Sequence, residues 1–189
     1  MKNFKTFAIA LLVVAGSFSA TAQEKKIDAA KSKISWVGKK VTGQHEGTLN
    51  FTEGSLTFKK DALVNGNFTV DMTSITVTDL KAGQGKESLE GHLKADDFFG
   101  TANFPTAKLV FKSIGKKSAG VYAVTADLTI KGITNEVKFN ITVGKNTATA
   151  ALKVDRTKYG IKYNSGSFFD GLGDKTINDE FELAVDLKF

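Results

Sequence analysis

The chain has 189 residues, of which 41% are hydrophobic and 24% are charged, values that are typical of globular proteins and exclude an intrinsically disordered chain. It contains no Cys, which excludes a disulfide framework, a thiolate metal site and a cysteine nucleophile. There are 26 Lys and Arg against 20 Asp and Glu, and this net charge of +6 is too small and too evenly scattered to indicate a nucleic-acid partner.

Residues 1–22 have the three parts of a secretory signal peptide. Two lysines precede an apolar run at 7–15, and Ala20 and Ala22 then form an A-x-A cleavage site. The apolar run is far shorter than the ~20 residues that a membrane-spanning helix needs, which disfavours the alternative of an N-terminal membrane anchor. We therefore expect cleavage near Ala22 and a single mature domain over 23–189 that is soluble, periplasmic or secreted, and does not span a membrane.

Beyond residue 30 apolar and polar residues alternate, which is the period of β-strands. The pattern predicts about nine short strands with tight connections and no crossover helices, as in an antiparallel meander that forms a barrel or a sandwich. Strands are predicted at roughly 33–41, 45–52, 55–59, 64–73, 106–114, 122–130, 137–143, 147–155 and 181–189. Turns are predicted at Glu53-Gly54, Asn65-Gly66, Gly115-Lys116, 131–134 and 144–146.

One segment, residues 86–97, departs from the strand period. Leu89 and Leu93 lie on one helix face, and Ser88 is a candidate N-cap. We predict a short helix there that plugs or flanks one mouth of a barrel.

Phenylalanine is unusually frequent, with 15 residues in the chain. Many large apolar side chains lie on the apolar faces of different predicted strands, and two Phe pairs lie outside the strands. A barrel of about eight strands has an interior that side chains fill or that holds one slender ligand, and the sequence pattern leaves both alternatives open. The candidate lining residues are Phe51, Phe58, Phe68, Met72, Phe98, Phe99, Leu109, Phe111, Phe139, Ile141, Phe168, Phe169, Phe181 and Leu183.

Two histidines, His45 and His92, are candidate polar residues at the mouth. A zinc site needs three or four convergent ligands, and two isolated histidines without a metal-binding spacing do not indicate one. An exported hydrolase that uses both histidines with Asp96 or Asp97 is a less favoured alternative, because the chain has no G-x-S-x-G motif and no phosphate-binding loop. We expect no catalytic residue, no metal and no cofactor.

Arg156 is the only Arg among the 26 basic residues. A guanidinium offers a planar fork of donors to a carboxylate or phosphate, so Arg156 is the third candidate for binding a ligand head group. The favoured alternative is a structural ion pair with Asp155, Asp170 or Asp179.

Short motifs follow one another along the chain, namely SWV at 35–37, HEG at 45–47, HLKADDFF at 92–99, FP at 104–105, ADLTIKGIT at 126–134 and DRTKYGI at 155–161. In this order they resemble the YceI-like family of exported lipid- and polyisoprenoid-binding proteins, over Ile34 to Phe189. Glu90-Gly91 and Lys131 depart from the Arg-Asp and the His that the family often has, so a phosphate head group is less expected than an amphiphile in general.

The resemblance implies a lipocalin-like antiparallel barrel of about eight strands with a long apolar interior. It also implies a non-enzymatic protein that binds, stores or transports a polyisoprenoid, quinone-like or fatty-acyl amphiphile, with the tail inside and the head near the mouth. At about 0.8 kcal/mol per buried methylene, a long tail binds tightly without a special polar site. A homodimer is a further, weaker expectation. The remaining alternative is a filled barrel that serves as an interaction or stress-response module.

Overall fold

The computed structural model describes residues 21–189, so the predicted signal peptide, 1–22, lies almost entirely outside the described residues. Nine strands and one α-helix form within them, with short 3-10 helices at Arg156–Tyr159 and Gly173–Lys175. The elements are β1 (Gln23–Lys26), β2 (Lys33–Lys40), β3 (Gly43–Lys59), β4 (Ala62–Val77), α1 (Lys86–Lys94), β5 (Thr106–Ser118), β6 (Val121–Ile130), β7 (Ile133–Val143), β8 (Thr147–Asp155) and β9 (Ile177–Lys188).

Eight strands, β2 to β9, form a closed antiparallel barrel. Each pairs with the next along the chain, and β9 pairs with β2, which closes the ring. The short β1 lies outside the ring and pairs with the second half of β3. The predicted all-β, lipocalin-like barrel with one short helix is confirmed, and the sandwich alternative is wrong.

Three of the predicted turns are wrong, and two of them, Glu53-Gly54 and Asn65-Gly66, pair within β3 and β4, which run on as single strands. Both glycines make room for an aromatic ring on the neighbouring strand. A Cβ at Gly66 would lie 2.6 Å from the ring of Phe111, and a Cβ at Gly54 would collide with the ring of Phe68. These glycines therefore mark packing positions inside strands.

The turn between β3 and β4 lies instead at Lys60-Asp61, where both residues have positive φ, 49° and 64°. This is the conformation of a type I′ hairpin turn, whose twist matches that of the flanking strands. The turn predicted at Gly115-Lys116 is also wrong, because these residues lie inside β5. The turn predicted at 131–134 is confirmed, since Lys131 and Gly132 connect β6 to β7 in a hairpin.

One end of the barrel, called the base, is crossed by the segment that follows β1. The Ile27 amide donates to the Gly54 carbonyl at 2.9 Å, and the Asp28 amide donates to the Lys188 carbonyl at 2.7 Å. The opposite end, called the mouth, carries α1 and the loop from β8 to β9. The N-terminal segment thus ties β3 to β9 across the base.

The helix α1 is fastened to β4 at the mouth by a carboxylate. Glu90 Oε1 accepts from the Thr76 hydroxyl at 2.6 Å and from the Val77 amide at 2.9 Å. These hydrogen bonds lower the pKa of Glu90, so the carboxylate stays ionised and keeps both bonds.

No helix among residues 21–189 is long and apolar enough to cross a membrane.

Candidate functional site

The barrel interior contains two apolar cavities that lie end to end and share Leu183 as a lining residue. The base-side cavity has a volume of ≈ 80 Å³ and is lined by apolar side chains alone. The mouth-side cavity has a volume of ≈ 70 Å³ and reaches up to α1 and the loop that follows it. A closed barrel of eight strands is of the size that holds one slender ligand in this way.

Alternation along β9 builds one wall of both cavities. Phe181, Leu183, Val185 and Leu187 all face inward, and they span roughly 20 Å at about 3.3 Å per residue. The first three are only partly buried although they pack against the core. Inward-facing apolar side chains that keep accessible surface indicate that the interior is hollow.

Four phenylalanines from different strands form a continuous aromatic wall around the base-side cavity. The ring centroids of Phe51 and Phe68, of Phe68 and Phe111, and of Phe111 and Phe139 are each 5.9 Å apart. Pairs at this distance and tilt contribute about 0.5–1.5 kcal/mol each beyond their area burial. The wall is therefore apolar, and contacts between its rings stabilise it.

Ten of the fourteen predicted lining residues line one or both cavities. The base-side cavity contains Phe51, Phe68, Leu109, Phe111, Phe139, Ile141 and Leu183, and the mouth-side cavity contains Phe98, Phe99, Phe181 and Leu183 again.

The other four predicted lining residues lie elsewhere. Phe58 is buried at the base, with its ring centroid 6.1 Å from that of Phe189, and Met72 is buried outside both linings. Phe168 and Phe169 are 47% and 51% exposed, because they lie in the loop between β8 and β9 and point away from the interior. Phe58, Met72, Phe168 and Phe169 therefore line neither interior cavity, which corrects their predicted placement.

A third cavity of ≈ 210 Å³, the mouth chamber, lies between α1 and the β2–β3 hairpin. It is lined by Trp36, Gly38, Lys39, Lys40, His45, Leu89, His92, Leu93, Phe98 and Ile177, and five of these residues also line the mouth-side cavity. The mouth chamber therefore adjoins the mouth-side cavity of the apolar interior.

The structure places both predicted histidines in the mouth chamber with different partners. His45 Nδ1 lies 2.8 Å from Asp79 Oδ2. Burial acts to raise the pKa of Asp79, but hydrogen bonds from the Glu46 amide and from His45 hold it below its ordinary value. The ring of His92 instead lies 4.4 Å from that of Tyr163 and 5.7 Å from that of Phe98, centroid to centroid.

Arg156 lines the mouth-side cavity, but most of its donors are in use. Its guanidinium donates to the backbone carbonyls of Ile161, Ile177 and Asn178, each at 3.0 Å, and Asp179 Oδ1 lies 3.6 Å from Nη2. Burial lowers the pKa of Arg156 while the nearby carboxylates raise it. This geometry favours the structural alternative and identifies Asp179 as the ion-pair partner.

The residues required by a hydrolase do not converge. Asp96 accepts a hydrogen bond from Asn103 and does not line the mouth chamber. Among residues 21–189 there is no group of three or more His, Asp or Glu that could hold a metal. What the arrangement offers chemically is an apolar interior with a small polar entrance, which suits binding.

Trp36 is one of several lining residues that sequence reasoning missed, together with residues such as Leu49, Ile75 and Val185. Trp36 lies opposite Gly47 in the β2–β3 ladder, and a Cβ at Gly47 would lie 2.6 Å from its indole ring. The absence of a side chain at Gly47 therefore lets the ring lie against the neighbouring strand. A lone Trp on a predicted strand that can pair with a Gly is the signal that could have found it.

With the geometry established, comparison with known proteins gives the family. The model of the YceI-like domain matches residues 26–189. The chain belongs to the YceI-like family. A UPF0312 protein of Staphylococcus aureus strain USA300 is 33% identical over 118 residues, which cover 55% of this chain and 66% of that protein. A UPF0312 protein of Shewanella denitrificans is 33% identical over 100 residues, so the chain spans from half to just under two thirds of these relatives.

Several solved structures have the same fold as this chain. BcnA of Burkholderia cenocepacia superposes with a TM-score of 0.68 at 25% identity, over 85% of this chain and 98% of that one. A polyisoprenoid binding domain from Saccharophagus degradans gives 0.55 at 16% identity, over 86% and 95%. The Campylobacter jejuni YceI protein gives 0.54 at 17% identity, over 75% and 82%. The similarities to the Saccharophagus degradans and Campylobacter jejuni structures, at 16% and 17% identity, support the fold alone.

Proposed function

We propose that this YceI-like protein is a non-enzymatic carrier of an amphiphilic lipid, whose apolar tail lies in the two interior cavities and whose head lies at the mouth. The observation that carries the proposal is the pair of adjoining apolar cavities, which run along β9 from Phe181 to Leu187. Only an apolar molecule gains free energy by entering a space lined in this way. The filled-barrel alternative lacks such a space.

The energetics suit a long tail better than a short one. Burying about ten methylenes contributes roughly 8 kcal/mol, which corresponds to a micromolar dissociation constant before the loss of ligand freedom is subtracted. Each further methylene adds about 0.8 kcal/mol. A polyisoprenoid, a quinone-like lipid or a fatty-acyl amphiphile meets this requirement, and the Saccharophagus degradans neighbour is itself described as polyisoprenoid binding.

The location that we propose follows from residues 1–22, which have the pattern of a signal peptide. Cleavage near Ala22 would release a periplasmic or secreted protein whose β1 begins at Gln23. There the carrier would store or transport a lipid through water. A homodimer remains a prediction from the family resemblance.

Trp36 provides the test, because it is the only Trp in the chain and lines the mouth-side cavity. The detergent-free protein is titrated with geranylgeraniol, a short-chain quinone and a fatty amide while tryptophan emission is recorded. We expect a saturable change in emission at one ligand per chain, with affinity that increases with tail length. Emission that stays constant with all three lipids, and no bound mass in native mass spectrometry, would contradict the carrier and favour the filled-barrel module.

A further inference from the structure

The base-side cavity ends before the barrel does. Leu187 is its last lining residue on β9, and Phe189, which lies two residues further on and therefore on the same side of the chain, lines neither interior cavity. Ala148 pairs with Leu187 across the β8–β9 ladder, is buried, and also lines neither cavity. The hollow part of the barrel therefore ends at the level of Leu187.

Three side chains, called the base cover, pack together at this end of the barrel. They are Lys25, Phe58 and Phe189. The two ring centroids are 6.1 Å apart, and the Lys25 ammonium lies 5.4 Å and 5.2 Å from them, within the range of a cation–π contact. The same ammonium donates to the Lys145 carbonyl at 3.3 Å, which ties β1 to the turn between β7 and β8. A tail that enters at the mouth therefore meets a closed base.

The space between the base and the mouth is small. The two interior cavities, of ≈ 70 Å³ and ≈ 80 Å³, together match an engineered protein cavity of about 150 Å³ that holds one benzene ring, which has six carbons. At the same ratio of volume to carbon, the mouth chamber of ≈ 210 Å³ holds roughly eight more carbons. The three cavities together therefore hold a tail of about 14 carbons.

The free energy that a tail gains depends on the carbons that leave water. Each methylene inside the cavities tightens binding, because it removes apolar surface from water. A methylene beyond the capacity of the cavities stays in water at the mouth, since the closed base gives it no further room. Affinity should therefore increase with tail length up to a limit and then remain constant.

We propose that Leu187 and the base cover set the longest tail that the barrel buries, which is about 14 carbons. The inference rests on the proposed carrier function and narrows its ligand to amphiphiles with tails of medium length. A fatty-acyl chain of roughly 14 carbons or an isoprenoid of about three units fills the cavities, and a longer polyisoprenoid gains no affinity from its additional units.

The test measures how the dissociation constant depends on tail length. The probes are decanol, dodecanol, tetradecanol, hexadecanol and octadecanol, each below its aqueous solubility, and the signal is the emission of Trp36 in the mature protein. Leu187→Ala removes three carbons from the end of the cavity and leaves space there, because a core relaxes only partly around a truncated side chain. Phe189→Ala removes a ring of the base cover beyond the last paired residue of β9, so it leaves the strand pairing intact. Ile161→Ala is the matched control, because it also removes three carbons from a buried side chain but lines none of the three cavities.

In the wild type, each step of two methylenes up to tetradecanol should tighten binding about 15-fold, and each later step less than about twofold. In Leu187→Ala the step from tetradecanol to hexadecanol should again be about 15-fold, and Phe189→Ala should move the limit in the same direction. Ile161→Ala should keep the limit of the wild type.

A wild-type affinity that still increases about 15-fold per step up to octadecanol would overturn the length limit while the carrier function stands. A limit that neither Leu187→Ala nor Phe189→Ala moves, or that Ile161→Ala moves equally, would overturn its assignment to the base. A wild-type protein that binds none of the alcohols would refute both the length limit and the carrier function.

Discussion

Replacing Arg156 by Met tests whether this residue maintains the fold or recognises the ligand. Its guanidinium donates to three backbone carbonyls at 3.0 Å, on the loop after β8 and on the first residues of β9, and Asp179 lies 3.6 Å away. The side chain is only 2% exposed, so water does not replace these contacts in the folded protein. A methionine side chain fills much of the volume of the arginine side chain but carries no hydrogen-bond donor.

The expected loss can be worked out from these contacts. Hydrogen bonds to a charged group contribute about 1.5–3 kcal/mol each, and removing one partner from a buried charged network typically costs about 3–5 kcal/mol, because local relaxation recovers part of the loss. For a domain of this size, this corresponds to a decrease of roughly 6–20 °C in Tm. Such a loss is a large fraction of the 5–15 kcal/mol by which domains are ordinarily stable.

Urea unfolding followed by circular dichroism measures this loss, with Lys153→Met as the control. Lys153 is an exposed residue 3.6 Å from Glu182, so its replacement should change the free energy of unfolding by less than about 0.5 kcal/mol. At a temperature where Arg156→Met is fully folded, its affinity for a neutral lipid should equal that of the wild type. A loss below about 1 kcal/mol together with weakened lipid binding would refute the structural role and restore Arg156 as a head-group residue.

Three further predictions concern the interior, the packing and the response to acid. Phe139→Asp should abolish lipid co-purification because it places a charge on the cavity wall, whereas Phe168→Asp, on the exposed loop, should leave the extracted lipid unchanged. Unchanged lipid content in Phe139→Asp would contradict the assignment of Phe139 to the cavity wall. Gly47→Ala should destabilise the protein by at least about 1–3 kcal/mol in thermal unfolding, because its Cβ meets backbone and ring atoms, and Gly115→Ala, where a Cβ meets nothing within 4 Å, should not. Burial acts to raise the pKa of Asp179, but serine hydroxyls and the charge of Arg156 hold it below the usual 3.8, so the stability it contributes is present above about pH 4 and lost as the pH falls through the folded pKa. The free energy of unfolding of Asp179→Asn should therefore decrease less than that of the wild type between about pH 5 and pH 3. An identical pH dependence of stability in the two proteins would argue against an ion pair between Asp179 and Arg156.

The strand period was enough to predict an antiparallel meander, while the choice of a barrel over a sandwich came from the family resemblance. The places where the period failed have a common cause. Gly54 and Gly66 interrupt the pattern and resemble turns, but each is needed so that a ring on the neighbouring strand can pack. Only the register of β3 with β4, and of β4 with β5, reveals that requirement. The actual turn, Lys60-Asp61, has positive φ at both residues although neither is a glycine. The local sequence therefore lacks the residue type that usually indicates such a turn.

The candidate site was predictable where side-chain direction follows from alternation. Phe111, Phe139 and Leu183 lie on regular strands, and they line the cavity as the pattern implies. The Phe168-Phe169 pair lies in a loop, where no period relates sequence to direction, and it faces solvent. Trp36 was missed because its place in the site depends on a glycine on another strand and on the loops that surround the mouth.

Native mass spectrometry of the mature protein, purified without detergent, shows whether the barrel holds an apolar tail. We expect a stoichiometric bound mass of a few hundred daltons, which organic solvent extracts as an amphiphile. The Phe139→Asp variant, purified in the same way, should have the mass of the bare chain. A bare wild-type chain that also takes up no added isoprenoid, quinone or fatty amide would contradict lipid binding in the barrel.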